Sequence, residues 1–535
     1  MNNMNFKTLD IAGGWIAFII ATFTYVSTME PTVSFWDCGE FIACAYKLQV
    51  GHPPGAPLFL MIGRFFSMWT APDQAAYMVN LISALSSSFT ILFLFWTISA
   101  LARKILNKTN SEWNMGKTIA VVGSSMVGAL AYTFSDTFWF SAVEAEVYAM
   151  SSLFTAIVFW AILRWERVSE EPGADRWLIF IAYLMGLSIG VHLLNLLAIP
   201  AIAFVFYFKK FKPTPKGIGV TAAASILILG FVQKGVIPGL VTMSGKFELL
   251  FVNSFGLPFN TGAFIHVILL LAAVVYGIML THQSGDRKWK LMGILVVIAL
   301  LVASFSTLGL VVAGVIVGIF VMVPNVSDRA VNTGLLCISV ILIGYSSYTL
   351  VLVRSNANPP MDENNPENMF SLLSYLNREQ YGSQPIAYGQ YFNTPLDNKN
   401  PYTDGSPTYF QEFDKGEYKK STHHKKTQPN YASEFMTVFP RMWSQEARHI
   451  KAYKTWSDFK GKPMRYKVYG GKMETIYKPT FGENIQFFVK HQVMWMYWRY
   501  FLWNFAGRQN DVQGHNGIVD GNWLSGIDAI DNLRL

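Results

Sequence analysis

A helix needs about 20 mostly apolar residues to cross the hydrocarbon core of a bilayer, and this chain supplies such runs repeatedly before residue 353. They fall near 11–29, 76–101, 118–134, 146–163, 177–192, 194–208, 217–233, 263–281, 290–304, 307–323 and 331–352. The expected fold is an all-α polytopic membrane protein with about eleven spans. A twelfth is added if the aromatic stretch His491–Phe505 also crosses; its Trp and Tyr content and the interrupting Arg499 favour a position at the membrane–water boundary. Only 14% of the 535 residues are charged, against about one quarter in soluble domains. The net charge of +8 is explained by basic loops beside spans, which removes the case for nucleic-acid binding.

Those loops set an expected orientation. With the N-terminus inside, the inner segments hold sixteen Lys and Arg, from Lys7 through Arg103, Arg164 and Arg167 to Arg329. The outer segments before residue 354 hold four, Lys47, Arg64, Lys234 and Lys246. This asymmetry puts loop 30–75, loop 135–145 and everything after Arg354 outside. The expected division is a membrane domain over 1–353, an extracytoplasmic domain with mixed structure over 354–490, and an interfacial aromatic helix with a tail over 491–535.

The acids gather at the ends of the spans expected outside. Asp37 and Glu40, at i and i+3, share a helix face beside Phe35, Trp36 and Phe41. Partial desolvation by those rings would raise a carboxyl pKa and suit a general base. His52 and the Pro53-Pro54-Gly55 turn follow, then an amphipathic helix from Pro57 that carries Arg64. A second cluster holds Asp136, Trp139, Glu144, Glu146 and Tyr148. Read as helical, Glu144 and Glu146 cannot share a face, so one of them is expected to point into the cleft. His192 and Asn195 sit at an outer turn, while Asp362 and Glu363 lie in a Pro/Asn-rich stretch within reach of the same cleft. The bland alternatives are helix-terminal acids, ion pairs with Lys47 or Arg64, and a hydrogen-bonded histidine. His266 and the pair His423-His424 carry less weight, the pair reading as a solvated loop.

Other chemistries find little support. No HExxH, GxSxG, Walker or dinucleotide motif stands in a credible context. Cys38, Cys44 and Cys337 have no metal-ligand spacing and read as packing residues. No cofactor is firmly implied, and no His/acid set supports a divalent metal. A transporter would place ionisable groups near the midplane, which is almost free of them here. A non-catalytic scaffold would leave Asp37, Glu40 and Glu144 without a purpose.

The strings Phe35-Trp-Asp-Cys-Gly-Glu40-Phe-Ile-Ala, Gly51-His-Pro-Pro-Gly-Ala-Pro57-Leu, Ser141-Ala-Val-Glu-Ala-Glu-Val-Tyr148 and Met496-Tyr-Trp-Arg-Tyr500 resemble the bacterial branch of the transmembrane protein 260 family, and with it the GT-C protein O-mannosyltransferases. The resemblance implies a sugar, mannose favoured, carried on a polyprenyl phosphate and moved with inversion to Ser or Thr of exported proteins. A whole lipid-linked glycan is the alternative cargo. It also implies a bacterial cytoplasmic membrane with the site facing the periplasm. By position the base is Asp37, with Glu40 its neighbour and alternative. Arg64, His52 and Arg499 are then the expected ligands of the donor phosphate.

Overall fold

The computed structural model describes residues 3–108, 112–323, 326–382, 384–405, 407–421, 427–510, 512 and 520–533. Two compact units emerge: residues 1–380 with 411–418, and residues 381–410 with 419–535.

The first unit is helical. It opens with α1 (Asn3–Ser27), α2 (Cys38–Lys47), α3 (Pro57–Ser67), α4 (Ala75–Leu106), α5 (Met115–Thr133), α6 (Asp136–Ala142), α7 (Val147–Val168) and α8 (Arg176–Ile189). It continues with α9 (Ile199–Lys210), α10 (Pro215–Gly230), α11 (Ile237–Glu248), α12 (Thr261–Thr281), α13 (Lys288–Ala303), α14 (Thr307–Met322), α15 (Asp328–Tyr345), α16 (Thr349–Ser355) and α17 (Met369–Leu376). Local chemistry sets many of the starts. Asn114, Thr214, Ser306 and Ser327 each accept a backbone N–H of the first turn. Proline stands in the first turn of α3, α9, α10 and α11, where its missing N–H costs nothing.

Every expected span has a helix at its place, but not every helix is long enough to cross. Among the described residues seven are long and apolar enough, or eight when α5 and α6, bent by 69°, are taken as one. The expected spans 177–192, 290–304 and 307–323 correspond to α8, α13 and α14, of 14, 16 and 16 residues, which fall short of a full crossing. The expected span 217–233 is too short in the other direction. Helix continues through a π turn at Phe231–Val236 into α11 and on to Ser254, over 40 residues. Lys234 and Lys246, expected in a loop, therefore sit on helix; Lys246 Nζ is stabilised there by the Ser304 carbonyl at 2.5 Å.

Three apolar clusters organise this unit, one of them joining α11 to α15 around Met243, Leu270, Val302 and Leu335. A second joins α2, α3, α4, α7, α8 and α17 around Phe59, Ile162, Trp165, Ile189 and Tyr375. Another seals α1 to α4 through Ala17, Ala21, Tyr25, Ile91 and Phe95. Small residues on α1 allow the close approach: a Cβ at Gly13 would meet Phe95, and one at Gly14 would meet Trp96.

The second unit is mixed. Short antiparallel pairs, the longest Lys462–Lys467 with Met473–Lys478, surround a small core of Tyr391, Phe392, Met442, Tyr453 and Phe487. The aromatic stretch forms a π-helical segment Phe488–Trp498 followed by a helix Arg499–Trp503.

Candidate active site

The link from α1 to α2 is tied to the neighbouring helix ends. Asn80 Nδ2 of α4 donates to the carbonyls of Glu30 (2.7 Å) and Thr32 (2.9 Å), and the Glu30 N–H donates to the Val143 carbonyl at 3.0 Å. Trp36 takes a left-handed φ of 61° and lets the chain turn into α2, so that Asp37 stands at the helix start. α2 buries Phe41, Ile42, Cys44 and Ala45 and ends at Leu48, also left-handed. The next strand of chain is held by residues far away in sequence. The Val50 N–H donates to Met361 O (3.0 Å), the Glu363 N–H to Val50 O (3.1 Å), and the Tyr375 hydroxyl to Gly51 O (2.6 Å). Gly51 must stay small, because a Cβ there would lie 2.5 Å from Glu40 Oε1. Gly55, at φ 69°, passes directly under the Tyr375 hydroxyl.

That framework delivers His52 to the two acids of α2. Glu40 Oε1 accepts both the His52 backbone N–H at 2.5 Å and Nδ1 at 3.0 Å. The other ring nitrogen, Nε2, faces Asp37 Oδ2 at 3.8 Å. The hydrogen bond to Glu40 pushes the His52 pKa up, against burial. Burial pushes the Glu40 carboxyl up, but the hydrogen bonds and charge of His52 outweigh it and hold it below its ordinary value. Asp37 keeps 58% of its side chain exposed.

The second acidic cluster meets the first. Residues 143–146 break the helix between α6 and α7, so the rule that forbids i and i+2 from sharing a face does not apply, and both glutamates are buried. Glu144 accepts the Ser34 hydroxyl at 2.7 Å; burial pushes its carboxyl up, against the Ser34 and Cys38 hydrogen bonds. Glu146 caps α7 by accepting the Val147 N–H at 3.2 Å. Its burial, with the Asp37 and Glu144 charges adding, pushes it up to about 7. The tuned, desolvated acids are thus Glu144 and Glu146. Of the rings expected to shield Asp37, only Phe41 is buried, while Phe35 and Trp36 are 69% and 76% exposed.

The remaining expected residues divide. Tyr148 tilts against the His192 ring at 5.4 Å, beside the acids, and His192 Nδ1 accepts the Leu194 N–H. Burial and then the charge of Arg378 push the His192 pKa down. Arg378 follows α17, three residues after Tyr375, and its charge also acts on Tyr148. It is the cation near this site that the sequence did not single out. Its only advance sign was its place close after the apolar run Met369–Leu376 that carries Tyr375.

Arg64 and Arg499 are engaged elsewhere. Arg64 Nη1 caps α2 through the Tyr46 carbonyl at 2.5 Å, with its guanidinium 5.4 Å over the Tyr46 ring. Arg499 is buried in the second unit between Trp495 (4.1 Å) and Trp503 (4.6 Å), donating to Trp495 O and Gly521 O. Asp362 accepts the Ser355 hydroxyl at 3.0 Å and, with Glu363, holds the bridge to Val50. Asn195 is buried against Ser188, Trp139 donates to Thr28, and His266 joins Ser244 to α13. His423-His424 lie outside the described residues. Among the described residues no group of three His, Cys, Asp or Glu is arranged to hold a metal ion.

Comparison with known proteins covers this region. Residues 37–214 match the family described as the protein O-mannosyl-transferase TMEM260 N-terminal domain, and residues 382–489 match a family of unknown function. The chain is 28% identical over 209 residues to protein O-mannosyl-transferase tmem260 of Dictyostelium discoideum, covering 38% of this chain and 23% of that protein. It is 27% identical over 223 residues to protein O-mannosyl-transferase TMEM260 of Mus musculus, covering 40% of this chain and 29% of that one. The matched part thus spans about a quarter of the length of these curated relatives. Over the stretch that holds Asp37, Glu40, His52, Glu144 and Glu146, the chain is similar to the N-terminal domain of the TMEM260 protein O-mannosyl-transferases.

Proposed function

We propose that the protein is a membrane glycosyltransferase that moves mannose from a polyprenyl-phosphate donor to Ser or Thr hydroxyls of proteins on the non-cytoplasmic face. The observation that carries this reading is one open carboxylate, Asp37, beside a histidine clasped by a second, within the region similar to O-mannosyl-transferases. A hydroxyl is a weak nucleophile, so a carboxylate must take its proton as its oxygen bonds to the anomeric carbon. The bond from that carbon to the donor phosphate oxygen breaks, and the polyprenyl phosphate leaves with the electron pair. With one base and no covalent intermediate, the anomeric configuration inverts.

Asp37 is the base because it is accessible and its neighbours are occupied. Glu40 is committed to His52, Glu144 to Ser34, and Glu146 to the start of α7. His52, biased toward its protonated form by Glu40, sets its Nε2 3.8 Å from the Asp37 carboxylate. Glu40 is a positioning residue acting through His52. Arg378 replaces Arg64 and Arg499 as the cation facing the donor phosphate, a charge that the leaving group requires. An apolar cavity of about 440 Å³ between α8, α9 and α10, with Ile189 and Leu196 at the His192 turn and Phe206 deeper in, suits the prenyl tail. The basic residues at the opposite end of α4 and α7, including Arg103, Lys104, Arg164 and Arg167, orient that end to the cytoplasm.

The test is transfer by purified protein from polyprenyl-phosphate mannose to a Ser/Thr-containing exported protein, with the product read by mass spectrometry and its anomeric configuration by NMR. One added hexose per modified hydroxyl, with inverted configuration, is expected. Retained configuration, or no hexose on any acceptor, contradicts the reading.

A further inference from the structure

The end of the helical unit opposite the carboxylates carries a second polar site. α4 spans both ends: Asn80 holds the α1–α2 link, and Arg103, 23 residues on, lies roughly 35 Å away at 1.5 Å per residue. That separation is close to the ~30 Å hydrocarbon thickness of a bilayer. Around Arg103 the first helices leave a cavity of about 540 Å³. Its charged lining comprises Lys7, Arg103, Arg164 and Arg167, with Asp10 the one carboxylate among the described residues. Asp10 is already engaged by the Ser99 hydroxyl.

Arg103 is half-buried, while Lys7, Arg164 and Arg167 are exposed at the cavity rim. The Arg103 guanidinium lies 4.9 Å from the Phe6 ring and 5.5 Å from the Trp113 ring, and that of Arg164 lies 6.0 Å from Trp177. Arg103 Nε is buried and has no hydrogen-bond partner among the described residues, so the cavity is short of acceptors. Lys104, the neighbouring cation, is paired with Glu166 and does not line the cavity. Phe6, Trp96 and Trp160 supply an apolar wall beside the charges. Arginine forks match phosphate oxygens in pairs, and a cationic rim over an aromatic wall matches a headgroup joined to an acyl chain.

We propose that this cavity binds the phosphate group of an anionic membrane lipid, in the leaflet opposite the carboxylate site. A surplus of donors, one of them buried and without a partner among the described residues, is relieved by an anion that arrives with its own apolar tail. The inference stands independently of the transferase reading.

The test uses the full chain in a neutral detergent, with phosphatidylglycerol, phosphatidylcholine or inorganic phosphate added. Thermal unfolding and native mass spectrometry are the readouts. Phosphatidylglycerol is expected to raise the unfolding midpoint and stay bound through desolvation, with phosphatidylcholine retained at least about tenfold less. Arg103→Gln combined with Arg167→Gln abolishes that preference, whereas Lys104→Gln keeps it. Should the double variant lose its wild-type circular dichroism in phosphatidylcholine, the single variant Arg164→Gln serves and is expected to weaken the preference severalfold. Equal retention of the two lipids, or a preference that survives loss of the arginines, overturns the proposal. A shift with inorganic phosphate alone overturns the lipid as source and assigns the cavity to a soluble phosphate.

Discussion

The two ends of the bundle formed by α1, α4 and α7 are made from the same helices and carry opposite imbalances. At the carboxylate end the buried acids Glu144 and Glu146 and the half-buried Glu40 each have a donor: Ser34, the Val147 N–H and His52. Asp37 remains more than half exposed. At the arginine end four cations line one cavity against a single acid, and a buried guanidinium N–H finds no acceptor among the described residues. Satisfied acceptors around one accessible carboxylate suit taking up a proton. Surplus donors suit holding an anion that stays. Burial alone separates these cases poorly, since both ends are partly buried; the count of donors against acceptors separates them.

Beyond Asp37 itself, the contrast is broken most severely at His52. His52→Ala removes the cation facing Asp37 and empties the Glu40 clasp, and is expected to lower transfer about 100-fold, measured as single-turnover rate with saturating donor. Glu40→Gln should cost less, about tenfold. Losing the carboxylate that raises the His52 pKa moves the alkaline fall of the pH–rate profile down toward 6.5, a shift that a merely structural Glu40 would not produce.

Glu146 sharpens the comparison through stability. In the folded chain it holds its proton up to about pH 7, whereas the unfolded chain releases it near 4.5. The folded state therefore binds more protons between those values, and stability falls as pH rises through that window and then levels. Glu146→Gln retains an acceptor for the Val147 N–H. It should unfold at a higher temperature than wild type at pH 8 and at the same temperature at pH 4.5, read by differential scanning fluorimetry. The smallest effect on chemistry is expected at Arg64. Arg64→Gln weakens the cap on α2, costing about 1–2 kcal/mol of stability, and leaves transfer within about twofold. A large rate loss there would return Arg64 to the donor phosphate.

Much of this site was legible in the sequence because burial in lipid makes ionisable residues scarce. Asp37, Glu40, His52, Glu144, Glu146 and Tyr148 stood out against apolar helices and do come together. What sequence could not supply was local conformation. The i, i+2 argument for Glu144 and Glu146 assumed a helix that breaks at 143–146. The burial expected at Asp37 belongs to those two glutamates, because Phe35 and Trp36 face outward. Arg64, Arg499 and Arg378 are alike as letters; which is held by a helix terminus, which by two indoles and which stands near His192 depends on contacts between distant segments. The lengths of individual spans were hidden for the same reason. Apolar content alone could not show that α8, α13 and α14 stop short, or that helix runs on from Pro215 to Ser254 through two lysines.

The most direct measurement compares single-turnover transfer by Asp37→Asn, Glu144→Gln and wild type in the same detergent, each checked for wild-type helicity. A base at Asp37 predicts a loss of about 1000-fold or more in Asp37→Asn, with Glu144→Gln within about tenfold of wild type. A near-wild-type rate in Asp37→Asn, with Glu144→Gln inactive, would contradict it and move the base to the buried pair.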